Sequence, residues 1–301
     1  MPDGDALALP FTQDLLSRCT FPESGAAVTC GVSGGADSAA LLVLAVAAGC
    51  RATAVHVDHG LRAGSSEEAD LVRRLCERVG AGFRAEYVEL SDGPNLEARA
   101  RAARYAVLPP DALTGHTADD QAETVLINLL RGAGASGIGA MRPGPRRPML
   151  AVRRSETHEL CSMLGIEIVR DPSNTDPRHL RNRVRHELLP LMNELARRDL
   201  VPVLTRQADI ARAEADLLDE LAATLDPTDA IALTAAPAPL ARRAVRRWLT
   251  TEHPPDLATV ERVLAVARGD DVATETGDGR RVSRSRQRLA LHPGASSGPK
   301  E

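Results

Sequence analysis

Ser33-Gly34-Gly35-Ala36-Asp37-Ser38 is the stretch on which the fold turns. It follows a short apolar run, Ala26 to Val32 (AAVTCGV), and leads into a second apolar stretch that predicts a helix from about Asp37 to Ala48, ending at Gly49. A buried strand that passes through paired glycines into a helix brings backbone N–H groups and a helix N-terminus together, and that combination attracts phosphate. The hydroxyls of Ser33 and Ser38 add donors. Asp37 is out of place beside phosphate unless a divalent cation lies between them, so the string implies Mg2+ as well as a nucleotide. For a bare glycine pair, an ordinary turn with an Asp cap would be the simpler reading. Six residues in this order after a strand favour the phosphate loop.

Outward from the loop, strand and helix patterns alternate. Arg51 to Val57 (RATAVHV) reads as a second strand, and Ser65-x-x-Glu68 opens a helix to about Val79 as a capping box. Phe83 to Leu90 alternates as a third strand, and Asn95 caps a helix through Leu108. Asp111 to Gly115 is a short fourth strand, and Ala118 to Arg131 a helix stopped by Gly132. The expected class is α/β, a parallel twisted sheet with helices on both faces, followed by a smaller mainly α domain. Ligands in such sheets bind beyond the carboxyl ends of the strands, where the loop, His56, Asp58 and His116 fall.

Gly132 to Pro148 reads as a loop, Ser155 to Leu164 as a helix, and Asp171 to Asn174 as a turn before an arginine-rich helix reaching about Leu189. From Asp199 the texture changes. Helices are expected over Thr205 to Leu225, Pro239 to Thr250 and Leu257 to Arg268, then a strand or hairpin over Val282 to Leu291. The expected organisation is an N-terminal helix or arm (1–21), a catalytic domain (22–197), a helical domain (198–292) and a disordered tail (293–301).

Composition excludes several functions. Aromatic residues are 2% of the chain, too few for a base-stacking platform. Lys300 is the single lysine among 37 basic residues, so neither a Walker-type lysine nor a Schiff-base lysine lies within the fold. The net charge of −4 is not that of a uniformly basic nucleic-acid binder. The five cysteines contain no C-x-x-C pair, and their odd number fits a reducing cytoplasm. The start MPDGDALALPFTQD is too acidic for a secretory signal, and no apolar run is long enough to span a membrane.

The loop resembles the S-G-G-x-D-S loop of the ATP-pyrophosphatase superfamily, and four further strings resemble the tRNA(Ile)-lysidine synthase family within it. They are His56-Val57-Asp58-His59-Gly60-Leu61-Arg62; Glu97-Ala98-Arg99-Ala100-Arg101 with Arg104-Tyr105; Gly115-His116-Thr117-Ala118-Asp119-Asp120-Gln121-Ala122-Glu123-Thr124; and Asp171-Pro172-Ser173-Asn174 followed by Arg181-Asn182-Arg183-Val184-Arg185-His186. They run in family order between about residues 26 and 190. Many members carry a second histidine where this chain has Thr117. The length matches the short form of the family.

The resemblance implies that ATP adenylates the C2 oxygen of cytidine 34 in the CAU anticodon of tRNA(Ile), and that free L-lysine then displaces AMP. It implies a nucleotide site at Ser33, Gly34, Gly35, Ala36, Asp37, Ser38, His56 and Arg101. Catalytic roles fall to Asp37, His116, Asp120 and Arg104, with Asp37 also holding the metal. The segment RHLRNRVR (178–185) carries four arginines and no acid. With His186 it supplies the expected tRNA contacts: Arg178, Arg181, Asn182, Arg183, Arg185 and His186. The oligomeric state stays open, a homodimer included.

Overall fold

The computed structural model describes residues 9–58, 65–88, 99, 102–103, 106–169 and 176–293. They form two compact units, 1–209 and 210–301. The division falls inside one helix, Val201–Ala223, and later than the boundary near Arg197 expected above. Leu200 and Val201 are buried with Ala118, Ala122 and Leu126, so the start of that helix belongs to the core of the first unit. The tail from residue 294 lies outside the described residues.

In the first unit, helix α1 (Pro10–Ser17) precedes strand β1 (Ala27–Gly31), helix α2 (Ala36–Ala47) and strand β2 (Arg51–Asp58). Helix α3 (Ser65–Val79) leads to β3 (Gly82–Tyr87). The N-terminal segment is part of this core, with Leu15 fully buried against it. The strands are parallel in the order β1-β2-β3, with Ala27 level with Arg51 and Thr53 with Gly82. On the other side of β1, Leu113 forms a parallel bridge with Cys30, so the expected fourth strand is present as a single rung. The chain therefore moves from β1 to one side and later returns to the other. That reversal opens a crevice at the carboxyl end of β1, the place where doubly wound sheets bind ligands. Helix α2, which leaves this crevice, is buried from Ala39 to Ala45, as expected of an apolar helix enclosed on every side.

Helix α4 (Ala118–Leu130) starts at Thr117, whose hydroxyl accepts from the Asp120 amide while the Asp120 carboxylate accepts from the Thr117 amide, a complete capping box. The segment 132–148, expected as loop, contains the short helix α5 (Ala135–Ile138). Helix α6 (Arg154–Met163) packs along α2. The arginine-rich segment forms α7 (Leu180–Arg183), a π turn (Val184–Leu188) and α8 (Leu189–Ala196). Pro190, in the first turn of α8, has no N–H to give the preceding turn, and the helix widens there.

Val201–Ala223 is α9. The second unit continues with α10 (Ala230–Ala235), α11 (Ala238–Leu249) and α12 (Leu257–Arg268), then an antiparallel sheet of β4 (Ala273–Glu275), β5 (Arg281–Ser285) and β6 (Arg288–His292). Its core joins Ala244 and Val245 of α11 to Val263 and Val266 of α12 and to Val282 and Leu289 of the β5–β6 hairpin. Strand β4 and helix α10 escaped the sequence reading because each is short and neither carries a clear period. None of the described helices is long and apolar enough to cross a membrane.

Gly115 marks the closest approach in the first unit. A Cβ there would lie 2.7 Å from the carbonyl oxygen of Asp37 and 2.9 Å from its carbonyl carbon. These atoms are backbone and yield little. Gly115→Ala is therefore expected to destabilise the protein by about 1–3 kcal/mol, measured by urea unfolding.

Candidate active site

The loop between β1 and α2 is held by its own atoms and by Val169. Gly34 has φ +88°, and its carbonyl accepts from the Val169 amide at 2.9 Å. A side chain at Gly34 would meet Val169 Cγ2 at 2.6 Å, so both conformation and space require glycine there. The Ser38 hydroxyl donates to the Gly35 carbonyl (2.9 Å) and accepts from the Ser33 amide (3.2 Å). Gly35 is the N-cap of α2 and makes no side-chain cap bond, so the first turn of α2 is left without the acceptor that Thr117 gives α4. Among the described residues, a Cβ at Gly35 would meet only Ser33 Oγ, at 3.9 Å. The loop presents amide donors there, as an anion site needs.

Beside the loop lies a cluster of opposite charges. Arg154, at the start of α6, donates from Nε to Asp37 Oδ2 (3.3 Å), from Nη2 to Asp120 Oδ1 (2.8 Å) and from Nη1 to Glu123 Oε1 (2.7 Å). Glu123 is fully buried, and its carboxylate also takes two bonds from Arg185, at 2.6 and 2.9 Å. Arg181 donates to the Thr124 hydroxyl at 3.2 Å and stands 3.9 Å from Asp120. A buried carboxylate keeps its charge only when paired, and here each has a guanidinium partner.

The carboxylates differ in character. Burial pushes the Asp37 carboxyl up from its ordinary value, with Arg154 and the Thr157 hydroxyl pulling the other way. Burial acts on Asp120 too, but Arg154 and the Thr117 donors outweigh it and hold its carboxyl below the usual range. Asp119 is also held low: burial is overcome by the Arg153 guanidinium and the Arg154 amide. Arg153 reaches Asp199 as well.

The structure brings Asp37, Asp120, Arg181 and Arg185 of the expected residues into one cluster. His116 lies next to it, its Nδ1 2.8 Å from the Thr114 hydroxyl. His56 is 2% exposed and its Nδ1 bonds the Val32 carbonyl at 2.9 Å, so it braces the backbone leading into the loop. Arg101 and Arg104 lie outside the described residues, as do His59 to Arg62 and Asp171 to Asn174. Of the expected tRNA contacts, Arg178 and Arg183 are exposed and, among the described residues, pair with neighbouring acids, Asp176 and Glu187. Asn182 is buried and its side-chain amide donates to the Asp176 carbonyl, while Arg181 and Arg185 turn inward. Sequence reasoning missed Arg153, Arg154, Glu123 and Thr157. Glu123 was in a quoted motif, three residues after Asp120 and so on the same helical face, a signal that could have found it.

A family model described as the PP-loop domain matches residues 11–192. A tRNA(Ile)-lysidine synthase from Nocardia farcinica is 38% identical over 302 residues, covering 92% of this chain and 95% of its own. One from Mycobacterium bovis is 41% identical over 238 residues, 73% of each chain. The chain belongs to the tRNA(Ile)-lysidine synthase family. Among solved structures, the U34-tRNA thiolase NcsA from Methanococcus maripaludis superposes with a TM-score of 0.56 at 16% identity, covering 70% of this chain and 80% of that one. At that identity the likeness concerns the fold. The PP-loop match assigns ATP use to the first unit.

All five cysteines are free thiols. Burial pushes Cys19, Cys30 and Cys161 up to about 12 and Cys76 to about 11, so they behave as packing residues, not nucleophiles. Iodoacetamide at pH 8 is expected to leave the folded protein largely unmodified and to alkylate every cysteine after denaturation, as read by mass spectrometry. Glu123→Ala would leave Arg154 and Arg185 short of their shared counter-ion. A loss of about 3 kcal/mol in denaturant unfolding is expected, at the low end for a broken buried pair because Arg185 reaches solvent.

Proposed function

We propose that the chain is a C–N ligase that joins L-lysine to C2 of cytidine 34 in the CAU anticodon of tRNA(Ile), using ATP and releasing AMP and pyrophosphate. The observation that carries this reading is the glycine loop at the carboxyl end of β1 with a cluster of carboxylates and guanidiniums beside it, in a chain of the lysidine synthase family. The cytosine C2 oxygen attacks the α-phosphate of ATP, and pyrophosphate departs against the amides of Gly35, Ala36 and Asp37. The ε-amine of lysine then attacks C2, AMP leaves, and the amine gives up its proton. A wobble base in an anticodon loop is unpaired, so it can enter the site without opening a duplex.

Mg2+ fits the residues present. Among the described residues no three acids, histidines or cysteines form a ready-made metal cage. Mg2+ needs none, since one or two carboxylates plus phosphates and waters satisfy it. Asp37 is the candidate ligand: among the described residues Oδ2 is engaged only by a long 3.3 Å contact, and its side chain is 26% exposed. Bound there, the ion would neutralise charge developing on the pyrophosphate. Asp120, held ionised beside Arg154, is suited to attract the lysine ammonium electrostatically. Its low carboxyl makes it a poor proton acceptor, so its part is binding. Exposed Arg178 and Arg183 are suited to RNA phosphates, and Arg181 and Arg185 to holding the segment that presents them.

Radiolabelled L-lysine should enter tRNA(Ile) with a CAU anticodon when ATP and Mg2+ are present. A transcript with the wobble cytidine replaced should stay unlabelled, and label in both would refute the assigned base. Arg178→Ala and Arg183→Ala should each lower the slope of log tRNA affinity against log salt by about 1, with thermal stability unchanged. A slope equal to wild type in both would remove these arginines from the interface.

A further inference from the structure

Asp37 is held from one side by a single helix far away in sequence. Both of its carboxylate oxygens receive donors from α6: Oδ1 from the Thr157 hydroxyl and Oδ2 from Arg154 Nε. Residues 154 and 157 are one turn apart and so share a face. Thr157 is completely buried. Its hydroxyl also lies 2.8 Å from the Arg154 carbonyl, but it has one proton, and the carboxylate is the stronger acceptor.

The face itself is fixed at both ends. At its start, the Arg154 amide donates to Asp119 at 2.8 Å, and Arg153 grips the same carboxylate at 3.0 and 3.2 Å. Toward its end, Cys161 Sγ lies 3.6 Å from the Ala36 carbonyl, in the first turn of the helix that carries Asp37. The Arg154 head has strong anchors on Asp120 and Glu123 and only a long contact to Asp37. The guanidinium is thus secured by α4, and what it offers Asp37 is a fixed direction without a tight grip. Asp37 itself sits in the first turn of α2, where side-chain rotation alone would carry its carboxylate off these donors.

We propose that Arg154 and Thr157 are positioning residues that orient the Asp37 carboxylate at the mouth of the nucleotide loop, making the start of α6 the second half of that site. The inference rests on the metal-binding role of Asp37 proposed above. It assigns no contact with substrate to either residue. The effect of Thr157 passes through Asp37 alone, and it belongs to the cation-dependent part of nucleotide binding and to pyrophosphate departure, not to binding of lysine or tRNA. Arg154, which also pairs with Asp120, shares that effect and touches the lysine-binding carboxylate as well.

The test compares ATP affinity by titration calorimetry with Mg2+ and with EDTA in the wild type, Thr157→Val, Thr157→Ser and Arg154→Lys. Lysine-dependent AMP release supplies kcat and KM, and the melting temperature serves as a control. Thr157→Val keeps the shape and removes the donor. Its affinity in EDTA should match wild type, its gain from Mg2+ should fall about tenfold, and kcat should fall with the KM for lysine and tRNA unchanged. Thr157→Ser keeps the hydroxyl and should restore both. Arg154→Lys keeps the charge but loses the planar fork whose three nitrogens each meet a different carboxylate, and it should lose part of the Mg2+ gain. A purely structural role would lower melting temperature and weaken both titrations alike, which overturns the proposal. An Mg2+ gain in Thr157→Val equal to wild type also overturns it. If wild-type affinity does not respond to Mg2+ at all, the metal role of Asp37 fails, and this inference fails with it.

Discussion

One guanidinium organises the first unit. Arg154 faces Asp37, Asp120 and Glu123, which come from two helices, and Glu123 is removed from water altogether. Carboxylates this close repel one another, and burial adds the cost of lost hydration. The arrangement persists because each negative group has a positive one against it, with Arg185 joining from a further element. Such a cluster contributes little net stability compared with apolar packing. Its effect is geometric: α2, α4, α6 and the arginine helix cannot slide past one another without stranding a charge.

The position of the loop follows from the sheet. β1 lies between β2 on one side and Leu113 on the other, so the chain that leaves β1 enters a crevice left open by the reversal of strand order. Gly34 turns the chain with a positive φ, and Gly115 admits the backbone at Asp37 to close contact. The loop, the segment before α4 and the start of α6 are thereby drawn together, although they stand far apart in sequence.

The arginine-rich segment is divided by helix geometry. In the linear sequence 178–185 is an unbroken basic run, and a phosphate-binding surface is the natural reading. In the folded chain Arg178 and Arg183 point to solvent, while Arg181 and Arg185, one helical turn apart, meet Asp120 and Glu123. The π turn that begins at Val184 widens the helix there. Two of its four arginines form an internal brace for the charge cluster beside the loop.

By itself the sequence determined the α/β order, the glycine loop between a strand and a helix, and the lysidine synthase motifs, because these depend on residues close together in the chain. Apolar period, glycine placement and capping signals are local, and local signals survive without the fold. The partners of Asp37 and Asp120 were not legible, since Arg154 and Thr157 lie more than a hundred residues from Asp37 and carry no motif that marks them. His56 was expected at the nucleotide site from its place at a strand end, but that its Nδ1 meets the Val32 carbonyl depends on what packs beside it. Tertiary structure alone decided these points, because pairing of buried charges is settled by which elements the sheet and its helices bring within about 3 Å, and that distance has no counterpart along the chain.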